Sequence, residues 1–140
     1  MRIEQLPDCS TMLPRSLVLH LLPGAYAISR LDAGAAIPAW ADGDGFVSIS
    51  RTAAELSIIA PAGRVPPGVR SEGGWRALEL TGPFPFDAVG VAAGVLQPLA
   101  AGGISVLLVS TFDTDVLLVK EAQLARAVDL LAAAGPEVKR

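Results

Sequence analysis

Two short apolar runs, residues 103–109 and 116–119, flank six mostly polar residues, 110–115. Apolar runs of this length, bounded by polar residues, are typical of strands, so the pattern predicts two strands joined by a tight connection. Such a connection lies at the end of a sheet, where backbone and side-chain oxygens are in a position to hold a small ligand. The stretch therefore favours binding over chemistry.

The rest of the second half alternates strands and helices. Residues 75–81 alternate apolar and polar side chains, which predicts a strand, and residues 86–101 have the period of a helix. A second helix over 121–134 and a short edge strand over 137–140 follow the two apolar runs. The order strand, helix, strand, strand, helix, strand predicts an antiparallel sheet with its helices on one face, the split βαβ arrangement.

The first half has the strands of such a unit but a poorly helical connection. Apolar runs at 17–22 and 25–31 around Pro23-Gly24 predict a hairpin, and strands are expected over 46–50 and 56–60. Residues 32–44 are rich in Gly, Ala and Pro and predict a loop. The fold class expected is therefore α+β, with two ferredoxin-like βαββαβ modules of which the first is degenerate.

Proline and glycine set the expected domain boundaries. Residues 1–15 show no period and predict an irregular lead-in, and 66–74, which begins with Pro66-Pro67-Gly68, predicts a linker. The first module is then expected over 16–65 and the second over 75–140.

The composition of the chain limits the kinds of molecule that it can bind. The net charge of -3 and a pI near 5.0 give no attraction to nucleic acid or to anionic membranes. Every apolar run is shorter than the roughly 20 residues of a membrane span. Cys9 is the single cysteine, so an internal disulfide is impossible and a reducing, cytoplasmic location is expected. At 51% hydrophobic and 18% charged residues, the chain predicts apolar surface buried against a second copy, a homodimer.

The helix predicted over 86–101 carries no charge after Asp87, which is placed to cap its first amides. One apolar row holds Val91, Val95 and Leu99. A second apolar row lies beside it, so both faces of this helix are expected to be buried. The second row consists of Val89, Ala93, Leu96 and Ala100.

These features together resemble the tandem ACT-domain family, which occurs as short stand-alone bacterial proteins, in the regulatory parts of aspartate kinases and in the CASTOR arginine sensors of animals. The most distinctive match is Ser-Thr-x-x-Thr-Asp at 110–115 followed by Leu-Val-Lys at 118–120. The resemblance spans about residues 17 to 138. Its other matching stretches are 48–52 with 55–58, 75–76 leading into Gly82, 86–90, and 98–100 with 103–105.

The resemblance implies a site for an amino-acid effector. In relatives, such effectors lie where the strand-to-helix loop of one module meets a strand of a neighbouring module. Ala88 departs from the pattern, because it cannot supply the acidic group that an arginine-like ligand would need there, and the identity of the ligand stays open. Carried over by position, the ligand-binding residues are Phe86, Val89, Gly90 and Val91 at the helix start and Thr111, Phe112 and Asp115 on the signature.

The residues themselves allow two interpretations of each half of this site. Free amides around residues 88–90 favour a ligand carboxylate, or Gly90 and Gly94 let the helix lie close to the sheet. Asp113 and Asp115 alternate, so one of them faces a pocket, and we expect Asp115 to bind a ligand ammonium or basic group. Otherwise the Asp and Thr side chains stabilise the turn by bonding to its backbone.

Other chemistry has little support in the sequence. His20, the single histidine, lies in an apolar run of the other half, so Ser110 and Thr111 lack a base, and no phosphate-binding loop occurs. No metal or other cofactor is expected. The resemblance implies a non-catalytic amino-acid-binding regulatory module that acts on an unidentified protein partner. The alternative is a structural or interaction module that docks through the uncharged helix and whose pocket is vestigial.

Overall fold

A computed structural model describes residues 17–81 and 91–140, which form eight strands and two helices. The α+β class predicted from the sequence is confirmed. The strands are β1 Val18–Leu21, β2 Tyr26–Leu31, β3 Ser48–Arg51, β4 Leu56–Pro61, β5 Arg70–Leu80, β6 Val106–Ser110, β7 Asp115–Lys120 and β8 Glu137–Lys139. The helices are α1 Val91–Ala101 and α2 Leu124–Ala133.

The chain divides into two compact units. The first unit consists of residues 22–77, and the second comprises, among the described residues, 17–21, 78–81 and 91–140. Residues 70–77 of β5 belong to the first unit and residues 78–80 to the second. These units differ from the predicted modules, 16–65 and 75–140, in the assignment of β1 and of residues 66–77.

The second unit is a sheet with both helices on one face. Its strands follow the order β6, β7, β5, β1, β8, which is the ferredoxin-like order with β1 inserted between β5 and β8. β1 runs antiparallel to β5 and parallel to β8. Each strand points alternate side chains toward the helices, and these side chains form one core with the buried faces of α1 and α2. The strand residues in this core include Leu17, Leu19, Leu78, Leu80, Leu117 and Val119, and the helix residues include Val91, Val95, Leu99, Leu124, Ala127 and Leu131.

The first unit has the same strand order without the helices. Its strands are arranged β3, β4, β2, β5, all antiparallel to their neighbours. The two connections that would hold helices contain only single 3-10 turns, Ala39–Ala41 and Ala62–Arg64. The expectation of two ferredoxin-like modules with a degenerate first one is confirmed. Loop residues Ala35, Trp40 and Ala41 pack on Leu56, Ile58 and Ala60 of β4 in place of a helix.

Two arginines hold the long loop between β2 and β3 in shape. Arg51 donates from its guanidinium to the carbonyl oxygens of Ala33 and Ala35, the latter at 2.7 Å. Arg64 donates to the carbonyl oxygen of Trp40 at 3.1 Å and to those of Ala41 and Asp44. An irregular loop has no hydrogen-bond ladder of its own, so these side chains satisfy carbonyl groups that a helix would satisfy internally.

The structure corrects the predicted N-terminal hairpin. β1 and β2 form where the sequence predicts strands, but β1 pairs with β5 and β8, whereas β2 has β4 and β5 on its two edges. No edge of β2 is left for β1. Pairing with β5 and β8 also buries Leu17 and Leu19 in the core beneath the helices, which a two-stranded hairpin could not do. Residues 70–74, predicted as linker, are the first part of β5.

The structure also corrects the expected burial of α1. Val91, Val95 and Leu99 are buried as predicted, but Ala93 and Ala100 of the second row are exposed and Leu96 is half-buried. One face of the helix is therefore covered, as in an ordinary surface helix. Val89 of the second row and the proposed cap Asp87 lie outside the described residues.

The end of α1 is fixed by a Schellman motif. The amide of Gly103 donates to the carbonyl oxygen of Ala100 at 3.0 Å, and the amide of Ile104 donates to that of Leu99 at 2.9 Å. Gly103 has a φ of 76°, a conformation that glycine adopts without steric cost. Ile104 and Leu99 lie in the same core cluster, so the motif also turns the chain toward β6.

Gly103→Ala is expected to lower the free energy of unfolding by about 1–2 kcal/mol, because a Cβ is strained at positive φ. Urea denaturation followed by circular dichroism measures the change. Gly63→Ala is the control: its added Cβ meets no atom within 4 Å and its φ is not positive, so its stability should stay within about 0.5 kcal/mol of the parent chain. Equal losses in the two variants would contradict the assignment.

Candidate functional site

The stretch singled out by the sequence is the turn between β6 and β7. Ser110 and Asp115 are directly paired across the two strands. Between them the amide of Thr111 donates to the carbonyl oxygen of Thr114 at 2.8 Å. The hydroxyl of Thr111 donates to the same carbonyl oxygen at 2.9 Å and accepts from the amide of Thr114 at 3.2 Å. The side-chain-to-backbone bonds of a stabilised turn are therefore present, and Thr111 makes them.

A second hydroxyl ties this turn to the neighbouring strand. Thr114 donates from its side chain to the carbonyl oxygen of Leu80 at the end of β5. β7 pairs with β5 on one edge and with β6 on the other. The turn is therefore held next to the point where the chain leaves β5. This contact gives the turn a fixed position relative to that strand end.

Two residues of the predicted ligand set, Val91 and Asp115, lie on the same side of the sheet. Asp115 is on the same face of β7 as Leu117 and Val119, which pack in the core that also holds Val91 at the start of α1. Asp115 itself is half-buried. Val91 is 6% exposed, so its side chain is occupied by the core and only its backbone remains to meet a ligand.

Phe112 lies at the tip of the turn and is 79% exposed. Thr111 and Asp113 are also exposed. Thr111 and Phe112 lie in the turn and Asp115 directly after it. Phe86, Val89 and Gly90 lie outside the described residues.

Sequence reasoning missed the role of Thr114. The signature contains this residue, but nothing in the local pattern shows that its hydroxyl reaches a strand 34 positions earlier in the chain. The alternation along β7 was the available signal. Because Leu117 and Val119 face the helices, alternation places Thr114, just before the strand, on the opposite face of the sheet.

His20, which the sequence pattern assigned to the other half of the chain, belongs to the second unit. His20 lies on β1, directly opposite Glu79 of β5 and Lys139 of β8. Within residues 17–81 and 91–140, no group of three or more His, Cys, Asp or Glu side chains is arranged to hold a metal ion. None of the helices in these stretches is long and apolar enough to cross a bilayer.

The hairpin of the first unit provides an internal comparison. Its turn is closed by the same bonds, from the amide of Thr52 to the carbonyl oxygen of Glu55 at 2.9 Å and from the amide of Glu55 to the hydroxyl of Thr52 at 3.2 Å. When the two turns are aligned, Leu56 occupies the position equivalent to Asp115. Leu56 is fully buried. A position that is part of an apolar core in one unit is therefore a half-buried carboxylate in the other.

Two family models match the chain. One, described as an ACT domain, matches residues 70–133. The other describes an N-terminal domain and matches residues 24–68. The two matches meet near the start of β5.

Known proteins resemble the chain in sequence and in fold. A protein from Agrobacterium tumefaciens with a known crystal structure is 49% identical, with a TM-score of 0.84 over 88% of this chain and 92% of that one. The regulatory subunit of aspartate kinase from Thermus thermophilus, in its ligand-free form, has a TM-score of 0.55 at 10% identity over 83% of this chain and 96% of that one, a likeness of fold alone.

A curated relative from Rattus norvegicus, the cytosolic arginine sensor for mTORC1 subunit 1, is 38% identical over 58 residues. The match takes in 41% of this chain and 18% of the rat protein. The chain therefore spans about a fifth of the length of this relative.

Thr114→Val keeps the shape of the side chain and removes the hydroxyl that bonds to Leu80. It is expected to lower the free energy of unfolding by about 1 kcal/mol, since one partly buried hydrogen bond is lost and a carbonyl group is left without that donor. Thr81→Val, at an exposed neighbouring position, should change stability by less than about 0.5 kcal/mol. Urea denaturation compares the two. A Thr114 variant as stable as the Thr81 variant would contradict the proposed tie.

Proposed function

The chain belongs to the ACT-domain family, and we propose that it is a non-catalytic regulatory module that binds a free amino acid at the turn between β6 and β7. The observation that carries the proposal is the half-buried Asp115 where the equivalent position of the first unit is the buried Leu56. Exchanging a core leucine for a carboxylate costs stability, and a cationic group on a ligand offsets that cost.

The turn supplies three kinds of contact. Asp115 accepts hydrogen bonds from the ammonium or basic side chain of the ligand, a charge-assisted interaction. The exposed ring of Phe112 offers an apolar surface, and Thr111 a hydroxyl. The ligand carboxylate is assigned to the backbone amides preceding α1, with Phe86, Val89, Gly90 and the backbone of Val91 as the residues that meet it.

The relatives support a regulatory role for an amino acid. The rat protein is described as an arginine sensor and the Thermus thermophilus protein as a regulatory subunit of aspartate kinase. We infer by the same analogy that the module acts in the cytosol, where it would pass ligand occupancy to a protein that it regulates.

A homodimer joined through β6 is part of the proposal. Among the described residues, β6 pairs with β7 alone, so its other edge presents unpaired backbone groups. In monomeric proteins, charged side chains commonly protect an edge strand from pairing with another chain. Val106–Ser110 carries no charge, and its four apolar side chains are only half-buried. An antiparallel copy of the same strand would complete this edge.

An interaction module with a vestigial pocket is the second candidate. It is favoured by the exposed second row of α1, where Ala93 and Ala100 are exposed, Leu96 is half-buried and no charge occurs. A protein that docks on this row would not need Asp115.

Thermal unfolding in the presence of each of the twenty amino acids tests the main proposal. A specific ligand at 100 times its dissociation constant should stabilise the protein by about 2.7 kcal/mol. Asp115→Asn should weaken binding about tenfold or more, since a charge-assisted contact is lost, whereas Asp129→Asn on the exposed face of α2 should bind as the parent chain does. If no amino acid stabilises the dimeric protein, the interaction module is the better account.

Leu107→Lys tests the dimer. Leu107 lies on β6 outside the helix-side core, to which Val106 and Leu108 contribute, so a charge there should convert the dimer to monomer without unfolding it. Ile49→Lys makes the same kind of change on β3, at a residue that is 40% exposed, and should leave the dimer intact. Sedimentation equilibrium gives both masses. A parent chain that sediments as a monomer would refute this part of the proposal.

A further inference from the structure

The first unit contains a polar cleft of about 450 Å³ along β2, β4 and β5. We propose that this cleft is a second ligand site, which binds a small zwitterion with its carboxylate on Arg70 and its ammonium on the glutamates. The site is independent of the one proposed at Asp115, which belongs to the second unit. Its charged lining residues are Arg30, Glu55, Arg70 and Glu72, and its serines are Ser29, Ser57 and Ser71.

Two like charges face each other in this cleft. Arg30 of β2 and Arg70 of β5 are directly paired across the two strands, and both line the cleft. Side chains of directly paired residues lie on the same face of a sheet about 5 Å apart at Cβ, and like charges in such a pair repel each other. An anionic group bound between the two guanidinium groups would remove this repulsion.

Arg30 is already engaged, and Arg70 is not. The guanidinium of Arg30 lies 3.7 Å from the carboxylate of Glu55 and donates to the carbonyl oxygen of Ala54 at 3.0 Å. In the described part of the chain, the guanidinium of Arg70 makes no ion pair or hydrogen bond. Arg70 therefore has its full set of donors left for a carboxylate, which it can grip with two parallel hydrogen bonds.

The acidic residues argue for a ligand with both charges. Glu72 follows Arg70 by two positions on β5, so the two side chains lie on one face of the strand, about 6–7 Å apart along it. Glu55 lies across the cleft from β5. A simple anion would meet two carboxylates here, whereas a zwitterion satisfies both signs of charge.

Size and access are consistent with a small molecule. The volume falls within the range of ordinary ligand pockets, and Ile28 is the single apolar side chain among the lining residues. Arg70, Ser71 and Glu72 are exposed, so a ligand enters from solvent without any movement of the strands.

The test uses the full chain, labelled with ¹⁵N, and three probes of increasing charge separation: glycine, β-alanine and 4-aminobutyrate. We expect at least one probe to shift the amide signals of residues 28–30, 55–57 and 70–72 in a saturable manner. The acid that lacks the ammonium of that probe (acetate, propionate or butyrate) and the methyl ester of that probe, which lacks the free carboxylate, should each bind at least about tenfold more weakly.

Arg70→Met should weaken binding of that probe by about tenfold or more, and Arg140→Met, which removes the same charge from the exposed C-terminal residue, by less than twofold. Arg70→Lys should lie between them, because it keeps the charge and loses the paired donors. Asp115→Asn should leave these shifts unchanged. The proposal is overturned if no probe shifts these amides, if the acid without the ammonium binds as tightly as the probe it matches, or if Arg70→Met binds that probe as the parent does.

Discussion

The fold of the second unit depends on β7, which is enclosed on every side. It pairs with β5 on one edge and β6 on the other, and its four central residues, 116–119, are buried. Leu117 and Val119 face the helices, and Val116 and Leu118 are buried on the opposite face. The strand has one acceptable register, because a slip by one residue would move Asp115 or Lys120 into one of the buried positions. The turn that precedes it, and with it Asp115, is fixed as a consequence.

Each unit contains a hairpin with the same kind of turn, but the strand that follows the turn begins with a different kind of residue. Both turns are closed by a threonine that bonds to the residue three positions on. In the first unit the strand that follows begins with Leu56, and the face of β4 that carries it is covered by a loop held by Arg51 and Arg64. In the second unit the strand begins with Asp115, beneath helices whose packing leaves this position half-buried. The two hairpins differ in side-chain chemistry at this matched position more than in backbone shape.

The local sequence pattern predicts the secondary-structure elements well, but it predicts poorly which strands pair with one another. Alternation and turn residues place β2, β4 and β7 within about a residue of their observed bounds, because these signals are local. The helix predicted over 121–134 is observed as a 3-10 turn, Glu121–Gln123, followed by α2 at Leu124–Ala133. The position of β1 is set by Leu17 and Leu19 reaching a core built from residues 78–131, a preference that no window of neighbouring residues contains. The burial of α1 was overestimated for a related reason: alanine and glycine score as apolar, yet Ala93 and Ala100 are small enough to remain at the surface at little cost.

The absence of helices from the connections of the first unit has a chemical consequence for its sheet. A loop of Gly, Ala and Pro covers one face with small side chains, Ala35 and Ala41 among them. The other face carries Arg30, Ser57 and Arg70, which line an open cleft. Within the described residues Arg70 makes no ion pair or hydrogen bond, so its guanidinium is the group on this face whose charge a bound carboxylate would satisfy.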